Sequence, residues 1–290
     1  MKLFSLFTGI GGLDWGLKDM ADLVGYSEIK KSSIKILNSK AKNWGDITEI
    51  DFKELPDFDI LTGGFPCQSF SLAGLRKGFE DTKNKKGQMI FYIYELLKEK
   101  KPQFVVLENV KGLLSHNGGK TFKDVFRLLA MAGYYVRVLL LNALDYGLAQ
   151  NRERLIFLCS KDDFKKKDVE FRNRNVRFKD IRDRGGYKFI KKNDRNLAKI
   201  EQKRKFNFEL IGDWDRVGTL MTSDGGGEKL VYENGEYRYL TVLECERLQG
   251  FPDNYTQGVS DSDRYFALGN AVNVNMSKYL FQDYLRGLWF

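Results

Sequence analysis

Short apolar runs separated by amphipathic stretches recur six times between Leu3 and Cys159, and no other feature constrains this chain as tightly. Buried strands that alternate with helical patterns need crossover connections, the order of a parallel α/β sheet. The apolar runs predict strands at Leu3–Phe7, Asp22–Ser27, Phe58–Thr62, Phe104–Glu108, Tyr135–Leu141 and Leu155–Cys159. Between the third and fourth, Met89, Ile93, Leu96 and Leu97 recur at helical spacing with lysines behind them, which predicts a helix over Gln88–Lys100. The expected fold is a doubly wound α/β domain. From Ser160 to about Tyr237 the sequence turns charged and glycine-dotted, and a smaller second module is expected there. Helical spacing returns at Leu240–Gln249 and Asn275–Leu285, so the last stretch is expected to pack back on the first domain. The predicted division is 1–160, 161–238 and 239–290.

Composition narrows the chemistry. With 290 residues and 42% hydrophobic content the chain can bury a sizeable core. Its three cysteines, Cys67, Cys159 and Cys245, are far apart and odd in number, which excludes a disulfide framework and any CxxC metal or redox motif. His116 is the only histidine, so a multi-histidine metal centre is excluded and no metal is expected. It stands in a Ser-His-Asn-Gly-Gly turn and reads as structural. No apolar run approaches the ~20 residues of a membrane span, and the amino terminus has no cleavage site of the secretory kind. A cytoplasmic protein is expected. The charge is segregated: residues 161–205 hold 18 Lys and Arg against 8 Asp and Glu, and the rest of the chain is close to neutral. A segment this basic points to a polyanion, with nucleic acid the first expectation and a solvated face the alternative.

The motifs gather at one edge of the predicted sheet. Phe7-Thr8-Gly9-Ile10-Gly11-Gly12 follows the first strand, where glycines let a ligand approach the backbone. It lacks the third glycine of the dinucleotide fingerprint, so a nicotinamide or flavin site is disfavoured and a tight strand-to-helix turn stays open. Glu28, at the end of the second strand, suits ribose hydroxyls, and Asp46 in Gly45-Asp46-Ile47 reaches the same crevice. Cys67, in Gly63-Gly64-Phe65-Pro66-Cys67-Gln68-Ser69, falls in a loop just after a strand, the setting of a reactive thiol. Cys159 and Cys245 fall inside apolar elements and read as structural. Ser69–Lys86 has the length of a lid, a binding loop or a disordered segment. Glu108 in Glu108-Asn109-Val110 ends the fourth strand at the same edge, where a desolvated carboxyl can stay protonated, with a strand-end acid facing water the alternative. In Gln150-Asn151-Arg152-Glu153-Arg154 the two arginines alternate and so share a face if extended, with surface pairing the alternative role.

In this order and spacing the pieces resemble the motifs of the DNA (cytosine-5) methyltransferases of bacterial and phage restriction-modification type. Arg238-Tyr239-Leu240-Thr241 through Glu244, Arg247-Leu248-Gln249-Gly250-Phe251-Pro252 and Gly269-Asn270-Ala271-Val272 continue the match, which spans the chain outside roughly 161–237. Two positions depart from it. Ile29 stands where many members carry an aromatic residue beside the cofactor adenine, and Lys86 replaces a common arginine.

The resemblance implies a Rossmann-like, S-adenosylmethionine-dependent domain with an inserted target-recognition module. It implies methyl transfer to carbon 5 of a cytosine flipped out of double-stranded DNA, S-adenosylhomocysteine being the product. Cys67 would add to carbon 6, Glu108 would hold nitrogen 3 and the exocyclic amine, Arg154 would bind the ring carbonyl, and Arg152 would lie nearby, favouring thiolate and phosphate. Phe7, Gly9, Ile10, Gly12, Glu28 and Ile29 would line the cofactor site, together with Asp46, Ile47, Pro66, Met89, Asn270 and Val272. DNA contacts are expected from Gln68, Ser71 and Arg76 in the long loop and from Lys165, Lys166 and Lys167 in the basic run. In the module Arg216 and Asp224 would contact bases, and Ser223, Gly225 and Gly226 would lie against the DNA. A monomer is expected, with a cognate restriction endonuclease as the candidate protein partner. Three other readings stand beside this one: a tRNA cytosine-5 methyltransferase with the same thiolate chemistry, a non-catalytic DNA-binding relative, and a nucleotide-dependent oxidoreductase.

Overall fold

The computed structural model describes residues 1–66, 89–163, 175–185, 187–190, 209–222 and 229–289, with side chains as far as Gln282. Cys67, Gln68, Ser71, Arg76, Lys165, Lys166, Lys167, Ser223, Asp224, Gly225 and Gly226 lie outside the described residues.

The predicted strands form one seven-stranded sheet. Its members are β1 (Lys2–Leu6), β2 (Asp22–Ser27), β3 (Lys42–Asn43), β4 (Ile60–Gly64), β5 (Phe104–Val110), β6 (Tyr135–Asn142) and β8 (Glu153–Ser160). They lie in the order β3-β2-β1-β4-β5-β8-β6. The chain winds outward from β1 to β3, returns, and winds the other way from β4, so a switch point falls between β1 and β4. In open α/β sheets a crevice forms there, beyond the carboxyl ends of the strands. The sheet is not wholly parallel: β8 runs antiparallel to both β5 and β6. Only ten residues separate β6 from β8, too few for a crossover helix, so the chain turns back antiparallel. The short strand β7 (Gln150–Asn151) lies inside this connection.

Alternation along each strand supplies both faces with core. On one face Phe4, Leu6, Leu61, Val105 and Leu107 meet Ile93, Leu96 and Leu97 of α2 (Met89–Lys100) and Val125 and Leu128 of α3 (Lys120–Met131). On the other, Leu3, Ile60, Phe104 and Val106 meet Leu280 and Phe281 of a long terminal helix, Val274–Trp289. The period of two explains why neighbouring residues join different cores. Helix α1 (Lys31–Leu37) follows β2. His116 is bonded through Nδ1 to the Thr121 hydroxyl at 2.8 Å, at the start of α3, as a structural residue would be. Cys159 and Cys245 are buried, and burial pushes the Cys159 thiol well above its ordinary range.

In the inserted region a single turn α4 (Phe178–Ile181) precedes β9 (Glu209–Ile211), β10 (Val217–Gly218), β11 (Lys229–Glu233) and β12 (Glu236–Tyr239). Strands β12, β11 and β9 make a small sheet, while β10 leaves it to pair in parallel with β7. The chain then enters α5 (Val242–Gln249). Thr241 accepts from the Glu244 amide at 3.1 Å and the Glu244 carboxylate accepts from the Thr241 amide at 2.9 Å, a reciprocal cap, and Gly250 ends the helix with φ +80°. Glu244 also pairs with Arg238, neither side chain having any exposed surface. Helix α6 (Asp261–Asn270) and α7 (Val274–Trp289) return the chain to the sheet. Asn273 and Ser277 fix α7: the Ser277 hydroxyl donates to the Leu13 carbonyl and accepts from the Gly16 amide at 3.1 Å.

Candidate active site

Strand pairing places Gly64 beside Glu108, and a Cβ at position 64 would stand 3.3 Å from the Glu108 Oε2. Glycine thus allows the carboxylate to lie against β4, the strand that precedes Cys67 in the chain. Asn109, 2% exposed, donates from Nδ2 to the Phe65 carbonyl at 2.9 Å and anchors the residues just before Cys67 to the end of β5. From the next strand Arg154 reaches Glu108, Nε to Oε1, at 2.8 Å. Both are nearly buried. Burial raises the Glu108 pKa above the usual carboxylate range, with Arg154 and Arg152 opposing the shift, and burial likewise lowers the Arg154 guanidinium. A cleft of about 390 Å³ opens beside the pair, lined by Val110, Lys111, Gly112, Asn151, Arg154 and Thr219 among others.

Arg152 is held by backbone carbonyls. It is 1% exposed, and its guanidinium donates to the carbonyls of Leu220 at 3.0 Å, Gly269 at 3.0 Å and Ala271 at 2.8 Å. Alternation puts it on the face of Arg154, and there its guanidinium is engaged by backbone carbonyls.

Several of the cofactor candidates lie in the segments that follow β1, β2, β3 and β4. Phe7 (φ 51°), Gly9 (φ 56°) and Gly11 (φ 78°) turn the chain sharply after β1. Glu28 accepts from the Gly9 amide at 2.7 Å and from the Ile29 and Lys30 amides at 2.9 and 2.8 Å, which holds its carboxylate at the glycine turn. Asn43 Oδ1 accepts from the amides of Glu28 and Gly45, lacing the loops after β2 and β3 together. Asp46 caps the next turn by accepting from the Thr48 amide at 2.9 Å, and open space lies beside Gly45. Gly12 packs so closely on Val272 that a Cβ would meet its carbonyl at 2.2 Å, which brings the Gly269–Val272 segment to the same turn. Ile29, Pro66 and Asn270 are exposed, whereas the side chains of Ile47 and Met89 belong to the core and Ile10 is 1% exposed. Glu28 at the glycine turn, and Asp46 beside the open space at Gly45, present carboxylates of the kind that suit the hydroxyls and amine of an adenosine ligand.

A sequence profile of the C-5 cytosine-specific DNA methylases matches residues 1–207 and 170–286. The chain belongs to this family. Its members use S-adenosylmethionine to methylate carbon 5 of cytosine in DNA, and so does this enzyme. Among curated relatives it is similar to the Type II methyltransferase M.NlaX of Neisseria lactamica, at 37% identity over 94% of this chain and 92% of that protein. It is 34% identical to the Type II methyltransferase M.HhaI of Haemophilus parahaemolyticus, covering 97% and 93%. Among solved structures it resembles the Entamoeba histolytica methyltransferase EhMeth, with TM-score 0.79, 20% identity and 98% of each chain covered. The doubly wound, Rossmann-like expectation agrees with this family's fold.

Two features of the methylase escaped the sequence reading. Gln150 is fully buried and joins Leu220 to Leu248, accepting from the Leu220 amide at 3.1 Å and donating to the Leu248 carbonyl at 2.9 Å. Its place in the Gln-x-Arg-x-Arg motif was the available signal. Trp214 is 72% exposed, with the Lys179 ammonium 3.3 Å from its ring centre. A tryptophan between two aspartates in a basic module could have marked it. Arg216 is exposed, with Asn175 Oδ1 at 3.5 Å from its guanidinium. Among the described residues no cluster of potential metal ligands occurs, and no described helix is long and apolar enough to cross a membrane.

Proposed function

We propose that the enzyme acts through a covalent bond between Cys67 and carbon 6 of a flipped-out cytosine within a specific DNA sequence. The observation that carries this reading is the buried Glu108–Arg154 contact at 2.8 Å, beside the strand that ends three residues before Cys67. S-adenosylmethionine, when bound, supplies an electrophilic methyl group. Carbon 5 of cytosine is a poor nucleophile, and thiolate addition at carbon 6 turns the ring into an enamine that can attack it. Glu108, with its raised pKa, donates to nitrogen 3 and accepts from the exocyclic amine, offsetting charge as it develops. Arg154 donates to the ring carbonyl oxygen. A water takes the carbon-5 proton, after which the thiolate leaves and the double bond is restored.

In this reading Glu28 and Asp46 hold the ribose and adenine of the cofactor, and Phe7, Gly9, Gly12, Pro66, Asn270 and Val272 shape its crevice, with S-adenosylhomocysteine as product. Residues 161–238 form the target-recognition module between the two parts of the catalytic domain, 1–160 and 239–290. Lys165, Lys166 and Lys167 meet phosphates, and Arg216 and Asp224 read bases. The Type II names of the relatives support a role in restriction-modification with a cognate endonuclease. A monomer in the cytoplasm fits that role. The test is expression in a host free of cytosine methylation, followed by sequencing of methylated cytosines. We expect 5-methylcytosine at one short recurrent sequence; methylation confined to tRNA would overturn the DNA assignment.

A further inference from the structure

The basic module meets the catalytic domain where three segments share one buried polar joint. Segment Val217–Leu220 runs beside Gln150–Asn151: Val217 donates to the Ala149 carbonyl at 2.8 Å, and the Thr219 hydroxyl donates to the Asn151 carbonyl at 2.8 Å. The next residues rest on the end of α6. A Cβ on Gly269 would stand 2.5 Å from the Met221 carbonyl carbon and oxygen and 2.6 Å from the Thr222 nitrogen, so backbone lies on backbone there. Arg152 enters from beneath and donates to both sides of this contact, to Leu220 on one and to Gly269 and Ala271 on the other.

This is an uncommon use of a buried cation. A guanidinium offers five donors in a fixed planar fork, and here the fork spans two segments distant in sequence. A lysine has no such fork, and an apolar residue would remove the donor that the Leu220 and Gly269 carbonyls share and leave Ala271 only the Gln249 amide at 3.5 Å. Two residues further along the strand, Arg154 contacts Glu108. The carbonyls that Arg152 engages at Gly269 and Ala271 flank Asn270.

We infer that Arg152 is a positioning residue for target selection: it locks the Leu220–Thr222 backbone of the module onto the Gly269–Ala271 turn, and thereby fixes the module against the cytosine-holding pair. The inference rests on the reading of 161–238 as the target-recognition module. Loss of the lock lets the module shift while Cys67, Glu108 and Arg154 remain in place. Sequence selection is then affected more than chemistry, because displacement of a binding surface by about an ångström can cost up to a hundredfold in productive alignment.

The experiment compares wild type, Arg152→Met, Arg152→Lys and Arg152→Ala by the sequence spectrum of methylated cytosines and by kcat and KM on a duplex carrying the wild-type site. For Arg152→Met we expect methylation to spread to sites differing at one base, with KM for DNA raised about tenfold and kcat changed less than KM. Arg152→Lys should fall between it and wild type. Ethylguanidinium added to Arg152→Ala should narrow the spectrum again. An unchanged spectrum and KM in Arg152→Met overturn the inference, as does a fall in kcat with both unchanged, which would place Arg152 in the chemistry. If the Arg152 variants do not fold, Gly269→Ala keeps the arginine and pushes Met221–Thr222 away instead; wild-type selectivity in that variant overturns the inference equally. A wild-type enzyme that methylates no DNA sequence would contradict the functional reading itself, a result distinct from either.

Discussion

The Glu108 carboxylate and the Arg154 guanidinium meet at 2.8 Å across a diagonal of two antiparallel strands, Glu108 being registered opposite Ile156 and Arg154 opposite Val110. A diagonal pair of long side chains can reach across a sheet, and both groups then share one face. Burial disfavours the charge on each of them, which raises the one pKa and lowers the other. The pair therefore stands in a medium of low polarity where hydrogen bonds to an entering base are stronger than in water.

Removing one partner should expose that balance. Arg154→Met leaves a buried carboxyl without its counter-charge, and we expect a loss of about 3–5 kcal/mol in urea unfolding, with methyl transfer abolished. Adding Glu108→Gln to it should recover part of the stability. Additive losses in the double variant would show that the two side chains do not interact.

The raised Glu108 pKa sets a sign for the pH dependence of stability. Between its ordinary value of 4.5 and its higher folded value, the unfolded chain has released a proton that the folded protein keeps. Stability contributed by Glu108 is thus fully present below pH 4.5 and is lost as pH rises through the folded pKa. Urea melts from pH 4 to 8 should show wild type losing stability relative to Glu108→Gln over this window, and parallel curves would contradict the shift.

Cys67→Ala should end methyl transfer while DNA affinity stays within about tenfold, because the thiol acts in the transition state rather than in ground-state binding. Duplexes carrying 5-fluorocytosine should become covalently attached to wild type and not to the variant. Residual turnover by Cys67→Ala would remove the thiol from the mechanism.

Charge and base reading should separate within 161–238. Replacing Lys165, Lys166 and Lys167 by alanine should weaken binding to all sequences alike and flatten the log-log salt dependence by about 0.9 for each phosphate left without its lysine. Arg216→Ala should instead shift or relax the methylated sequence, with discrimination at one position reduced by about 1–3 kcal/mol. An identical salt slope in the lysine variant would assign that run to the solvated surface.

Local pattern determined much of this protein. The spacing of Met89, Ile93, Leu96 and Leu97 agrees with the helix described over Met89–Lys100, and the six apolar runs all lie at strands of one sheet. The helix expected over Leu240–Gln249 is present at Val242–Gln249, its start set by the local Thr241–Glu244 cap. The ends shifted where an apolar residue serves the core without pairing: Phe58 stacks on Phe4 at 5.2 Å, and the third strand starts only at Ile60. Helix α3 went unread because its buried set includes the polar Thr121 and Asp124, and α6 because it buries only Ala267, Leu268 and Gly269, too few to show a helical period.

Tertiary structure decided what sequence periodicity could not. Periodicity fixes the face on which a residue points but not what meets it there. Arg152 and Arg154 share a face by alternation, yet Arg154 finds Glu108 from the adjacent strand, while Arg152 finds carbonyls 68, 117 and 119 residues away along the chain. The direction of β8 is similarly a matter of connection length rather than composition, since an apolar run reads alike in either sense. Asn109 reaches Phe65 across 44 residues only because β4 and β5 are neighbours. Local free-energy preferences act within a turn or a strand, and the sequence states them openly. Which distant segments meet at the Gly269–Met221 contact depends on burying all of them at once, and that is settled only when the whole chain has folded.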